Sequence, residues 1–172
     1  MNILFVGDSL IEYLDWQERF PDHTVTNLGA AGESVQGILS RTVTIKKVCS
    51  DADFIFVMSG INNVAMGDND FIDFYKIIIE KLSILYPDAR IFINSLLPVS
   101  VDFISNELIQ RTNESLKVLA DKMNVFYLDI YRKFIDTNGM LIREYLLEDG
   151  VHLSMAGYAV WSRGVEEVIV IK

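Results

Sequence analysis

Five short apolar runs, rich in Val, Ile and Phe, alternate along this chain with longer segments in which apolar residues recur at helical spacing. The runs cover residues 3–6, 24–28, 54–58, 91–94 and 125–128, and the helical segments cover residues 35–48, 71–85, 107–123 and 156–170. Short runs of this composition are typical of buried strands. Strands that alternate with helices form a parallel sheet that is covered on both faces. The sequence therefore predicts an α/β fold, a three-layer α/β/α sandwich with a five-stranded parallel sheet.

Length and charge limit the number of domains and the classes of partner that we expect for this chain. Its 172 residues contain no linker and no internal repeat, which predicts one domain over residues 1–172. The formal net charge of −9 gives no general attraction to nucleic acid or anionic lipid, so neither is expected as a partner. No apolar stretch reaches the roughly 18 residues of a transmembrane helix, so we expect no membrane span.

Cysteine and histidine usage bears on compartment and cofactors. Cys49 is the single cysteine, so no intrachain disulfide can form and a reducing compartment is favoured. The first residues lack the basic start and long apolar core of a signal peptide. We expect a cytoplasmic location, with secretion as the alternative. Only His23 and His152 accompany Cys49, which is too few for a His/Cys metal site, and no metal or organic cofactor is expected.

The residues that follow the first three predicted strands are the best candidates for a binding site. They are Gly7-Asp8-Ser9-Leu10, residues 29–34 and residues 59–63. Ligands of open α/β sheets bind beyond the carboxyl ends of the strands. We therefore expect these three segments to meet at one rim of the sheet.

Ser9, His152 and Asp149 supply the side chains of a serine hydrolase. A serine hydroxyl is a weak nucleophile at neutral pH and needs a base, and the base needs a partner that fixes its tautomer. His152 suits the base and Asp149 suits the partner. A structural alternative is that residues 7–10 form only a turn and helix cap. Similarly, Asp149 and His152 could form a surface pair at the start of the last helix.

Hydrolysis of an ester also requires donors for the oxyanion that forms on the carbonyl oxygen. The candidates are the Ser9 N–H, the Gly32 N–H and the Asn62 side-chain amide. Gly32 lies where a helix is about to begin, which leaves its N–H without an intrahelical partner, and a glycine lets a ligand approach closely. The alternatives are that Asn62 only caps its loop and that Gly29 and Gly32 form only a tight turn. Their spacing does not fit a dinucleotide fingerprint.

Two neighbouring side chains are expected to support this site. Asp8 would hydrogen-bond the loop backbone and hold Ser9 in position. Asn63 would brace Asn62 or the nucleophile loop through its amide. Aromatic and aliphatic residues near the motifs are candidates for an acyl pocket, although such residues more often belong to the core. These candidates are Tyr13, Trp16, Met66, Leu97, Val99, Tyr145 and Leu147.

Four motifs in order along the chain resemble those of the SGNH, or GDSL-type, hydrolase family. They are Gly7-Asp8-Ser9-Leu10, residues 27–34, Gly60-Ile61-Asn62-Asn63 and Asp149-Gly150-Val151-His152. The resemblance implies a flavodoxin-like SGNH hydrolase fold, a catalytic triad of Ser9, Asp149 and His152, and an oxyanion hole of Ser9, Gly32 and Asn62. It is nearest to the platelet-activating-factor acetylhydrolase branch, in which an Asn also occurs where Asn63 replaces the more usual Asp.

These observations predict a serine esterase that hydrolyses short-chain, above all acetyl, esters through an acyl-enzyme on Ser9. The expected partner is a small acyl ester, because the chain has no obvious insertion that could form a large lid. One alternative is a lipase or thioesterase that acts on longer acyl groups. Another is a ligand-binding module on the same fold without catalytic activity. Apolar loop residues would also allow a homodimer.

Overall fold

The computed structural model describes residues 1–170 and contains a sheet of five strands. These are β1 (Asn2–Gly7), β2 (Thr24–Gly29), β3 (Phe54–Met58), β4 (Arg90–Asn94) and β5 (Phe126–Leu128). The α-helices are α1 (Ser9–Glu12), α2 (Trp16–Arg19), α3 (Val35–Ser40), α4 (Thr42–Val48), α5 (Ile61–Ala65), α6 (Ile72–Leu85), α7 (Asn106–Met123) and α8 (Met155–Ile169). Short 3-10 turns lie at Tyr131–Phe134 and Arg143–Tyr145.

All neighbouring strands pair in parallel, in the order β2-β1-β3-β4-β5. Gly7, the last residue of β1, lies in register with Gly29 of β2 and Met58 of β3. The segments that follow these three strands therefore begin side by side at one rim. The predicted five-stranded parallel sheet is confirmed.

Side chains alternate along the strands, so the two faces of the sheet carry different cores. One face is mainly aliphatic, with Leu4, Val57 and Ile93 packed in a core that also takes residues from α3, α4, α6 and α7. The other face is rich in aromatic side chains from β1, β3 and β4 and packs against α1, α2 and α8. The helices thus form a layer on each side of the sheet, as the three-layer prediction requires.

The helix predicted over residues 35–48 is in fact two helices. The chain breaks at Arg41, whose φ of −106° and ψ of 10° are not helical, and α4 begins at the next residue. At this break the side chain of Arg41 donates to the Leu28 carbonyl at 2.8 Å, which ties this point of the chain to the end of β2. Periodicity alone does not report such a contact, because the apolar spacing continues through the break.

Trp16, one of the candidates for an acyl pocket, does not line such a pocket. It begins α2 and is fully buried on the aromatic face, with its ring 4.0 Å from that of Phe5. Its indole N–H donates to the Ile11 carbonyl at 2.8 Å. Stacking and a satisfied donor make it a core residue.

Within residues 1–170, no helix combines the length and the apolar character needed to cross a bilayer.

Candidate active site

Ser9 lies at the first position of α1, directly after the end of β1. The preceding residue, Asp8, is the N-cap of this helix, and its Oδ1 accepts a hydrogen bond from the Leu10 N–H at 3.1 Å. Ser9 itself is only 6% exposed. The cap fixes the turn between strand and helix, and this turn sets the direction of the Ser9 side chain.

His152 and Asp149 lie on the segment that precedes α8. The Nε2 of His152 is 3.0 Å from the Ser9 Oγ, across 143 positions of sequence. Its Nδ1 is 2.7 Å from the Asp149 Oδ2. The three side chains proposed from sequence therefore form one continuous hydrogen-bonded row, in which a base contacts the hydroxyl and a carboxylate contacts the base.

Asp149 is held by its own backbone. Its Oδ1 accepts the N–H groups of Val151 and His152, both at 2.9 Å. The pKa of Asp149 is lowered to about 2, mainly by the backbone bond from Val151 and then by the bonds with His152. The carboxylate is therefore ionised at every pH at which a neutral imidazole is available as a base.

The segment that carries His152 is fixed by contacts with the chain on both sides. Leu147 donates its N–H to the His152 carbonyl at 2.8 Å, and Ser100 donates to the Gly150 carbonyl at 2.7 Å. Gly150 adopts a φ of 74°, and a Cβ there would lie 2.5 Å from the Ser100 carbonyl oxygen. Only glycine fits this position, because both the dihedral and the space exclude a side chain.

Ser154 follows and is the N-cap of α8. Its Oγ accepts the Gly157 N–H at 3.2 Å, so His152 does lie just before the last helix, where the surface-pair alternative placed it. That alternative still does not describe His152, because its imidazole reaches Ser9 as well as Asp149.

The two loop donors proposed for the oxyanion lie in contacting segments. Asn62 is in α5 and donates through Nδ2 to the Glu33 carbonyl at 3.0 Å, next to Gly32. Within residues 1–170 the Gly32 N–H has no hydrogen-bond partner. An amide nitrogen carries two hydrogens, so one N–H of Asn62 is also available to a ligand.

Gly32 differs in one respect from expectation. It lies three residues before α3, whose N-cap is Ser34, so it is outside the helix whose first turn was expected to free its N–H. A Cβ at Gly32 would meet no atom within 4 Å, while its φ is 74°. Glycine is therefore required here by the left-handed dihedral and not by crowding. Crowding applies at Gly29, where a Cβ would lie 2.3 Å from the Glu12 nitrogen.

The sequence analysis missed an ion pair that anchors the Gly32 segment. Glu33 and Arg41 form a partly buried pair through both carboxylate oxygens, with the Arg41 Nε 2.6 Å from the Glu33 Oε1. Through its bond to the Leu28 carbonyl, Arg41 links this segment to the end of β2. The sequence signal was weak, because it consisted only of an acidic residue in a conspicuous motif and a cation eight positions later.

Asp8 carries the most unusual electrostatic environment of the site. It is fully buried, and within the described residues its Oδ2 has no hydrogen-bond partner. Burial raises its pKa to about 7, against the opposing effect of the Leu10 N–H. A buried carboxyl with one unpaired oxygen favours the neutral acid.

The pocket candidates divide between surface and core. Tyr13, Met66 and Leu147 are exposed, and the Tyr13 ring lies 5.2 Å from that of His152. Leu97 and Val99 are buried. Tyr13 thus lies beside His152, Met66 is the C-cap of the helix that carries Asn62, and Leu147 bonds the His152 carbonyl through its N–H.

The chain is similar to known proteins over most of its length. The model of the GDSL-like Lipase/Acylhydrolase family matches residues 5–160. Platelet-activating factor acetylhydrolase IB subunit alpha1 of Rattus norvegicus is 26% identical over 176 residues, covering 98% of this chain and 75% of that protein.

Solved structures agree with this match. A Streptococcus pneumonia protein described as a platelet activating factor is 32% identical, with a TM-score of 0.88 over 97% of this chain and 83% of its own. An acetylxylan esterase from Geobacillus stearothermophilus, studied as a catalytic mutant, is 18% identical, with a TM-score of 0.79 over 99% of this chain and 94% of its own. The second likeness is one of fold. Together with the family match over residues 5–160, these findings show that the chain is a carboxylic ester hydrolase and belongs to the GDSL-like lipase/acylhydrolase family.

Proposed function

We propose that this protein is a serine esterase that hydrolyses short-chain acyl esters, acetyl esters above all, through an acyl-enzyme on Ser9. The observation that carries the proposal is the row of two short contacts from Ser9 Oγ to His152 Nε2 and from His152 Nδ1 to Asp149. This row provides a hydroxyl, a base within reach of its proton and an anion that orients the base.

In the proposed reaction, His152 takes the proton of Ser9 as the Oγ attacks the acyl carbonyl. Asp149, ionised and bonded to Nδ1, holds the ring and stabilises the imidazolium that forms. The oxyanion is met by the N–H groups of Ser9 and Gly32 and by the free N–H of the Asn62 amide. His152 returns the proton to the leaving alcohol, and water then hydrolyses the acyl-enzyme with His152 again as the base.

Asp8, the residue before Ser9, supports the proposed reaction in two ways. It caps α1 and leaves the Ser9 N–H, at the start of that helix, without an intrahelical acceptor. Below its raised pKa of about 7 Asp8 is neutral, and it then places no full negative charge near the developing oxyanion.

Two observations favour a short acyl group. The names of the rat relative and of the Geobacillus stearothermophilus structure both refer to the removal of acetyl groups. The segments around Ser9 are short connections after β1, β2 and β3, which offer little chain to enclose a long alkyl group. A deacetylase of a sugar or small ester fits this site, and a lipase or thioesterase for longer acyl groups is the alternative.

The chain-length profile tests the substrate class. Purified protein is assayed with p-nitrophenyl esters from acetyl to dodecanoyl, beside Ser9→Ala and a matched control, Ser115→Ala, whose hydroxyl lies on the exposed side of α7. We expect the highest kcat/KM for the shortest esters, activity in Ser115→Ala and none in Ser9→Ala. Rates that rise steadily toward dodecanoyl would overturn the short-acyl proposal.

The alternative that the sequence left open is a binding module without catalytic activity, which the match to a hydrolase family disfavours. Such a module would bind an acyl ester without turnover, and Ser115→Ala and Ser9→Ala would then behave alike.

We further propose a cytoplasmic location, because a single cysteine favours a reducing compartment. We also propose that residues 1–172 form one domain. Sedimentation of the purified protein would detect the homodimer that exposed apolar loop residues allow.

A further inference from the structure

Asn63 is fully buried next to Asn62, and every hydrogen-bonding group of its side chain is paired. Its Oδ1 accepts the Val35 N–H at 2.9 Å. Its Nδ2 donates to the Gln36 Oε1 at 2.7 Å and to the Asp68 Oδ2 at 2.8 Å. A buried amide with all its bonds made has one orientation available to it.

The three polar side chains around this position form a closed triangle. Gln36 donates through Nε2 to the same Asp68 Oδ2 at 2.8 Å. The other carboxylate oxygen, Asp68 Oδ1, accepts the Asp70 N–H at 3.2 Å. The amides of Gln36 and Asn63 hold the pKa of Asp68 below its ordinary value. Asp68 therefore serves as the anionic corner of the triangle.

The triangle joins the two loop elements that carry the proposed oxyanion donors. Val35 and Gln36 open α3, three to four residues after Gly32. Asn63 is the neighbour of Asn62 in α5. Asn62 bonds the Glu33 carbonyl while Asn63 bonds the Val35 N–H, so two consecutive asparagines contact two nearly consecutive residues of the facing segment.

We propose that Asn63, Gln36 and Asp68 form a positioning clamp that holds the Asn62 amide and the Gly32 N–H at a fixed separation, and that an amide at position 63 is required by the carboxylate at position 68. This inference rests on the proposed function, since it concerns how two proposed oxyanion donors are kept at a fixed distance. An aspartate at position 63 would place carboxylate oxygen against the Asp68 Oδ2 and the Gln36 Oε1. Those two contacts would then repel, because the new carboxylate oxygen would face two acceptors and supply a hydrogen to neither.

The test exchanges the amide and the carboxylate. Asn63→Asp is expected to lower kcat by about 10- to 100-fold with little change in KM, because misplaced oxyanion donors weaken the transition state more than the bound ester. The double variant Asn63→Asp/Asp68→Asn restores one donor facing one anion, with the Gln36 amide turned over. It is expected to regain most of the lost kcat.

A second cycle separates positioning from a general effect on folding. Asn63→Asp introduced into Asn62→Ala should cost less kcat than it does in the parent, since one of the two donors that the clamp holds is already absent. Circular dichroism and thermal unfolding are recorded for every variant. Parent-like kcat in folded Asn63→Asp, a double variant that stays inactive or does not fold, or full additivity with Asn62→Ala would each overturn the clamp.

The outcomes also distinguish this inference from the proposed function. Substantial p-nitrophenyl acetate turnover in Ser9→Ala would defeat the serine mechanism whatever the clamp variants do. Turnover that requires Ser9 together with any of the three contrary results above would defeat the clamp alone.

Discussion

The two halves of this site are built in different ways. The proposed proton-transfer half, Asp149 and His152, lies within four consecutive positions, and its carboxylate is about half exposed. The proposed oxyanion half, Gly32 and Asn62, comes from two segments that are held together by buried or partly buried polar side chains. The first half depends on local backbone geometry and the second on long-range pairing.

This difference sets which changes each half tolerates. In the proton-transfer half, solvent can replace part of what a deleted Asp149 carboxylate supplied, because that carboxylate is about half exposed to water. In the oxyanion half, a deleted group leaves buried partners unpaired, which costs about 1–3 kcal/mol for each group. We therefore expect chemical losses in the first half and losses of both chemistry and order in the second.

Removal of the base has the largest expected effect. His152→Ala should lower kcat for p-nitrophenyl acetate by about 10⁶-fold, since Ser9 then has no acceptor for its proton. The same variant should keep the parent's thermal unfolding midpoint within a few degrees. A folded His152→Ala with more than a small fraction of the parent's activity would contradict the assigned role.

Replacement of the carboxylate should cost less. Asp149→Asn is expected to lower kcat by about 10³-fold, below the roughly 10⁴-fold known for a buried triad aspartate, because water screens this exposed position. The pKa of Asp149 near 2 further predicts that Asp149 contributes no inflection to the parent's kcat/KM profile between pH 3 and 5. An additional inflection between pH 3 and 5 that disappears in Asp149→Asn would show otherwise.

Loss of the side-chain oxyanion donor ranks third. Asn62→Ala should reduce kcat by about 10²- to 10³-fold and leave KM nearly unchanged, as expected for a contact that strengthens in the transition state. It should also release the Glu33 carbonyl and lower stability, which His152→Ala should not. Steady-state kinetics and urea unfolding of the two variants together test the contrast between the halves.

The last expected effect concerns stability and pH at Asp8, and not the rate of the reaction. Its raised pKa means that the folded state binds a proton more tightly than the unfolded state between about pH 4 and pH 7, so stability falls as pH rises through that window. Asp8→Asn cannot ionise, so its free energy of unfolding relative to the parent should increase by up to about 4 kcal/mol from pH 4 to pH 8. A pH-independent difference between the two proteins would contradict a buried neutral Asp8.

Much of the fold could be predicted from sequence, because its signals are local. Each strand lies within a residue or two of its predicted apolar run, and β3 matches at both ends. The short helices α1, α2 and α5 were not predicted, because four or five residues are too few to show a period. Trp16 illustrates the same limit, since its ring packs on Phe5 through a turn that the pattern does not reveal.

The site shows a similar division. Motifs on strand ends predicted which residues would meet, because parallel strands bring their carboxyl ends to one rim. The supports of those residues were not predicted. Gln36 and Asp68 are 32 positions apart, and Glu33 pairs with Arg41, which is itself the unpredicted break between α3 and α4. Side-chain pairing of this kind depends on the folded loops, for which a single sequence carries at most a weak signal.

The most direct test of the central claim is covalent trapping of the nucleophile. The parent, Ser9→Ala, His152→Ala and Ser115→Ala are treated with a fluorophosphonate and analysed by intact-mass and peptide mass spectrometry. If Ser9 is the nucleophile, we expect one adduct, located on Ser9, in the parent and in Ser115→Ala. We expect very slow labelling of His152→Ala and no labelling of Ser9→Ala. An unlabelled parent that still hydrolyses p-nitrophenyl acetate, or an adduct on another residue, would contradict this role of Ser9.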